Sequence, residues 1–133
     1  MDEMKDIRWK QRFENFEKSF KLLEKYSNSS ISTELERAGI IQFFETTFEL
    51  AWKVLKDYLE SEGYIAKSPR ESIKRAFQVG LIEEGHLWMD ALSKRNLTSH
   101  TYDQELAEKL VKEIQEQFLP LLRNLFEKLL KER

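Results

Sequence analysis

Apolar side chains recur along this chain at steps of three and four, the repeat of helices that each bury one side. Trp9, Phe13, Phe16, Phe20 and Leu23 form one stripe of a helix predicted over roughly residues 4 to 26, with Lys, Glu, Arg and Gln on its wet face. Ser27-Asn-Ser-Ser-Ile-Ser is a polar break. Thr33 and Glu36 then have the spacing of a capping box, so a second helix starts near residue 33. It is expected to be the longest, with Ile41, Phe44, Phe48, Trp52, Leu55 and Leu59 on its buried stripe. Gly63 ends it, because glycine tolerates the left-handed conformation that closes a helix.

Ser68-Pro69-Arg70-Glu71 supplies an N-cap serine, a proline at the first helical position and a glutamate three residues after the cap. The short helix that follows is expected to turn Ile73, Ala76 and Phe77 inward and to stop at Gly80. Leu87, Trp88, Ala91 and Leu92 continue the helical spacing to about Lys94. Arg95 to Tyr102 reads as an irregular polar segment. Asp103 can cap a last helix carrying Leu106, Leu110, Ile114, Phe118, Leu121, Leu125 and Leu129, and Pro120 inside that pattern predicts a kink. The sum is an all-α, antiparallel up-and-down bundle of four or five helices, read as a single domain over residues 1–133. Leu121/Leu122, Leu125/Phe126 and Leu129/Leu130 are more apolar surface than one seam needs, which suggests dimerisation or docking through the last helix.

Composition narrows the chemistry. In 133 residues there are four Gly, two Pro and no Cys, which disfavours many-stranded sheets and excludes a disulfide scaffold, a Cys-ligated metal and a thiol nucleophile. The 22 Lys+Arg against 24 Asp+Glu give no global pull toward nucleic acid, so such a contact needs a local basic patch. No apolar run is long enough for a membrane span, the first residues do not read as a signal peptide, and a cytoplasmic protein is expected.

Two histidines without paired-His or clustered-carboxylate spacing argue against a metal site, and no phosphate-binding glycine loop or nucleophile elbow is present. No cofactor is therefore expected. What remains is Arg95-Asn-Leu-Thr-Ser-His-Thr-Tyr102, where an Arg, a His and a Tyr share eight residues at a helix junction. His100 can exchange the proton of a ribose 2′-hydroxyl, and Arg95 can hold a phosphate and stabilise a five-coordinate transition state. Asn96 and Ser99 can orient the His or bind the same phosphate, and the free N–H groups opening the last helix would add an anion site. On these residues alone, such a loop more often serves capping and solvent contact than catalysis. Lys67, Arg70 and Lys74, with Lys94, can carry an RNA backbone or simply form a solvated face. His86 reads as a capping or surface residue. Glu45 and Glu49, one turn apart beside a buried stripe, either line a cleft or are plain surface carboxylates.

The run Phe43-Phe-Glu-Thr-Thr-Phe-Glu-Leu-Ala-Trp-Lys-Val-Leu-Lys-Asp-Tyr-Leu, then Ser68-Pro-Arg-Glu, Gly80-Leu-Ile and Arg95-Asn-Leu-Thr-Ser-His-Thr-Tyr102, strongly resembles the nucleotidyltransferase substrate-binding protein family. That family is the HepT-like branch of the HEPN superfamily, and the resemblance covers roughly residues 36 to 125. It implies a helical bundle, usually a homodimer, paired with a small nucleotidyltransferase of the MNT type as a toxin–antitoxin system. It further implies metal-independent RNA cleavage by an Arg-x4-His-x-Tyr motif, matched here by Arg95, His100 and Tyr102. Arg95 and His100 would be the catalytic pair, meeting their copies across a dimer cleft. Tyr102 would be where the partner attaches an adenylate group that blocks RNA. The alternative under the same resemblance is a non-catalytic subunit that presents a substrate to a separate nucleotidyltransferase.

Overall fold

A computed structural model describes residues 3–133, and all regular structure among them is helical. Helix α1 spans Glu3–Ser27, α2 Glu34–Ser61, α3 Pro69–Gln78, α4 Gly85–Arg95, α5 Gln104–Glu113 and α6 Leu119–Glu132, with a π-helical turn, Ile114–Phe118, joining the last two without a loop. Local chemistry fixes the ends. The Thr33 hydroxyl accepts from the Glu36 amide at 3.1 Å while the Glu36 carboxylate accepts from the Thr33 amide at 2.9 Å, a complete capping box. The Ser68 hydroxyl accepts from the Glu71 amide at 3.1 Å, although the Glu71 carboxylate reaches the Lys67 amide rather than that of Ser68.

Gly63 and Gly80, at φ of 91° and 80°, close α2 and α3. In each case the two amides that follow turn back onto the helix: Gly63 and Tyr64 bond the carbonyls of Glu60 and Leu59, and Gly80 and Leu81 those of Phe77 and Ala76. An L side chain would be strained at either glycine, so both stops are written by the backbone.

α1 and α2 run antiparallel, since partners rise in number on one as they fall on the other. Trp9 meets Tyr58 edge-on at 5.0 Å, Arg12 pairs with Asp57 at 3.0 Å, and the hydroxyls of Ser19 and Thr47 lie 2.7 Å apart. α6 returns along α1 and places Phe126 against Phe13 and Phe20, at ring separations of 5.7 and 5.2 Å. Phe44 stacks on Phe118 at 5.3 Å and Phe48 meets Trp88 at 5.8 Å, which ties α2 to the π turn and to α4. The buried apolar residues form one continuous cluster from Trp9 to Leu129. Burying a ring of this kind contributes about 2 kcal/mol or more, and each edge or stacked pair adds about 1 kcal/mol.

Four sequence expectations change. Phe77 faces out and is 52% exposed, because Ile73 and Ala76 already supply α3's inner side and the next position is rotated away over the start of α4. Trp52, Leu87, Leu92 and Leu106 are only partly buried. The irregularity at Pro120 takes the form of the π turn before it. The Leu119 amide bonds the Ile114 carbonyl in the wider register, and the amide that proline lacks is absorbed there. Finally, the apolar surplus on the last helix does not form a free face. Leu121, Leu122, Leu125, Phe126 and Leu129 are all buried within the chain, between α1 on one side and the Leu81–Trp88 region on the other, and only Leu130 remains exposed.

Candidate functional site

The junction between α4 and α5 is tied to α2 by two carboxylates one turn apart. Arg95, the last residue of α4, donates through Nη1 to Glu49 Oε1, and the other Glu49 oxygen accepts from Trp52 Nε1 at 3.0 Å. One turn earlier on α2, Glu45 accepts from the Thr98 hydroxyl, which also lies 2.9 Å from the Arg95 carbonyl. Glu45 and Glu49 therefore anchor the loop. Helical spacing puts them on one face, but no sequence pattern tells which loop that face meets.

Beyond Thr98 the backbone winds in tight turns: the His100 amide bonds the Leu97 carbonyl at 3.0 Å and the Asp103 amide bonds the His100 carbonyl at 3.1 Å. These turns set His100 and Tyr102 on the same side. His100 Nδ1 lies 2.9 Å from the Tyr102 hydroxyl, with the rings edge-on at 5.7 Å, and the Tyr102 side chain is 82% exposed. In the tautomer with the proton on Nδ1, that N–H donates to the Tyr102 oxygen and Nε2 is left free to accept a proton, so the near contact sets the state of the far nitrogen.

The structure brings together His100 with Tyr102 and, separately, Arg95 with Glu49. Within one chain Arg95 has no bond to His100. Asn96 is the C-cap residue of α4, and it and Ser99 lie at the solvent-facing surface of the junction, with no side-chain hydrogen bond among the described residues. The opening turn of α5 already has its anion, since the Asp103 carboxylate accepts the Leu106 amide at 3.2 Å, which disfavours an additional anion there. Lys94 bonds Glu113 at 2.9 Å and lies 3.9 Å from Asp90. The Glu113 hydrogen bond, ahead of the opposing desolvation, raises its pKa above the ordinary lysine value. Lys67, Arg70 and Lys74 lie around the start and outer side of α3, and His86 is in the first turn of α4. No group of three or more His, Cys, Asp or Glu residues that could hold a metal ion occurs among the described residues, and no helix among them is long and apolar enough to cross a membrane.

An all-helical bundle that gathers an Arg, a His and a Tyr at one interhelical junction defines a small helical module with a polar, solvent-facing site. The chain belongs to the "Nucleotidyltransferase substrate binding protein like" family, whose model matches residues 11–131. It is 37% identical over 75 residues to a Haemophilus influenzae protein named probable ribonuclease HepT. That match takes in 53% of this chain and spans only 51% of the relative's length. A crystal structure from Thermus thermophilus superposes with a TM-score of 0.74 at 35% identity, covering 88% of this chain and 97% of the other. The Haemophilus influenzae protein HI0074, whose structure is described as the fold of a substrate binding domain of a nucleotidyltransferase, superposes at 0.75 with 28% identity, covering 88% and 98%. The bundle and the family anticipated from the sequence are therefore both found.

Proposed function

We propose that this chain is the toxin of a HEPN/MNT-type pair, a metal-independent endoribonuclease acting in the cytoplasm as a homodimer of single-domain subunits and silenced when an MNT-type nucleotidyltransferase adenylylates Tyr102. The observation that carries the reading is the 2.9 Å contact between the Tyr102 hydroxyl and His100 Nδ1. It sets, on an exposed segment, an imidazole able to exchange a proton beside the oxygen that would receive the adenylate. An adenylate on that oxygen would take away the free hydroxyl that Nδ1 contacts and set a bulky anion beside the imidazole.

In the reaction His100 takes the proton of a ribose 2′-hydroxyl, and the 2′ oxygen attacks the adjacent phosphorus. The bond to the 5′ oxygen breaks, that oxygen takes up a proton, and a 2′,3′-cyclic phosphate remains. Arg95 offsets the charge of the five-coordinate phosphorus, exchanging the Glu49 carboxylate for a phosphate oxygen. Asn96 and Ser99, beside the pair, support the phosphate. Lys67, Arg70 and Lys74 contact the RNA backbone, with Lys94 as a weaker contributor because Glu113 already holds it.

One observation favours the second reading, a non-catalytic subunit that presents a substrate to a nucleotidyltransferase. Arg95 is already neutralised by Glu49 in the single chain. A cleavage assay in EDTA on protein shown by intact mass to be unmodified separates the two. The toxin reading expects cyclic-phosphate ends that disappear in His100→Ala. Unmodified protein without activity, or cleavage that survives His100→Ala, removes it.

A further inference from the structure

The surface around α3 is locally basic. Residues 67–78 hold four cations, Lys67, Arg70, Lys74 and Arg75, against one carboxylate, in a chain whose net charge is −2. That carboxylate, Glu71, is turned back onto the Lys67 amide. Glu83 and Glu84, the next acidic residues, line the cavity of about 360 Å³ toward Leu121 and Lys128.

Two exposed aromatic rings lie beside these cations, on different sides of α3: Phe77 on the side of Arg70 and Lys74, Tyr64 on that of Arg75. Phe77 lies over the first turn of α4, where Gly85 makes room for it: a Cβ at residue 85 would come within 3.1 Å of the ring. The ring is thus held in place while half of it stays in solvent, and it borders a shallow groove with Lys74, His86 and Met89. Tyr64 is 39% exposed and carries the Arg75 guanidinium 5.7 Å from its ring centre.

We propose that this face binds single-stranded RNA, with Phe77 as a stacking platform for a base and Lys67, Arg70 and Lys74 holding the phosphates beside it. A fixed, half-exposed ring in line with Arg70 and Lys74 is what a flexible, stackable polyanion needs. An acidic protein could also anchor on such a ring; the shallow, open groove and the cations in line with it favour a flexible strand, and the protein is an outcome of the test. Phe77 rests on the first residue of α4 and Arg95 is the last, about 15 Å apart at the rise of an α-helix. A strand held on Phe77 would therefore have to run only a few nucleotides to reach the junction. The role is specific to binding and adds no chemical step.

The inference rests on the RNA reading of the Arg95–Tyr102 site, so it is tested without cleavage. Binding of a labelled single-stranded RNA of about ten nucleotides is measured by anisotropy in the His100→Ala background. Phe77→Leu keeps the packing on Gly85 and removes the stacking plane, and it should weaken binding about tenfold. Phe77→Tyr should retain it. Arg70→Ala should lower the slope of log affinity against log salt by about one. Melting temperatures of the three variants should match the parent. Equal affinity of Phe77→Leu and parent overturns the proposal. So does a Phe77→Leu variant that binds RNA normally and loses a co-expressed nucleotidyltransferase, which would assign the face to the protein partner. Loss of RNA binding in Phe77→Leu, beside a His100-independent wild-type activity, would remove the catalytic reading and leave this one standing.

Discussion

A phenol and an imidazole 2.9 Å apart make two separable predictions. His100→Ala should cut cleavage by about 10²-fold or more, the usual loss when a positioned proton-transfer group is removed, with the circular dichroism of the parent retained. Tyr102→Phe keeps the imidazole but offers no oxygen to adenylylate. It should stay toxic when the nucleotidyltransferase is co-expressed, and rescue of growth by the partner would count against Tyr102 as the modified residue. Tyr58 makes a further, purely structural case. Burial against Trp9, ahead of the nearby carboxylates of Glu132 and Glu62, pushes its pKa up to about 12 from 10.0. A folded-state pKa above the unfolded one means that the folded protein favours the neutral phenol. The resulting stability is fully present below pH 10 and is lost as pH rises from 10 to about 12. Urea midpoints across that window should fall less steeply in Tyr58→Phe than in the parent.

Helix ends were the most legible part of the chain, because each rests on a few local residues. The Thr33/Glu36 box, Ser68 with Pro69, Asp103 and the two left-handed glycines all fall where the sequence places them. Thr33→Ala should cost about 1 kcal/mol. The pKa of Glu36, lowered first by the Ser32 and Thr33 amides, gives that cap a pH dependence of the opposite sense to Tyr58: its contribution is present above the ordinary glutamate value of 4.5 and fades as pH falls through the depressed one. Contacts between helices were less legible. Phe77 fits the inner stripe by spacing and still points outward, and the leucine pairs of α6 read as a free face although two sets of neighbours cover them. Periodicity names a face without naming what lies opposite. For the same reason the Arg95–Tyr102 motif could be located in the sequence, but its attachment to Glu45 and Glu49 could not. A second such cross-helix tie, Arg12 with the 3%-exposed Asp57, should be costly to break. Arg12→Ala should destabilise by about 2–3 kcal/mol, below the 3–5 of a fully buried pair because Arg12 itself is partly in water.

At the scale of the molecule, the same aromatic stripes that close the bundle leave the α4–α5 junction dependent on polar ties and open to solvent. The junction also holds its two reactive groups apart: Arg95 faces Glu49, and His100 faces Tyr102. If catalysis needs both on one phosphate, the proposed homodimer supplies the simplest route, with Arg95 of one copy meeting His100 of the other in a shared cleft. That arrangement predicts complementation. Arg95→Ala and His100→Ala should each be inactive alone. When they are unfolded together and refolded, half of the dimers are mixed, and in each mixed dimer one of the two centres regains an intact Arg and His while the other loses both. Activity should therefore return to about a quarter of the parent level for random pairing of a two-fold dimer. Were Arg95 and His100 to act within one chain, every centre in the mixture would lack one of them and no activity would return. A two-fold dimer with the junctions at opposite ends gives the same silence, which size-exclusion chromatography and cross-linking between residues of the 95–102 segment would tell apart.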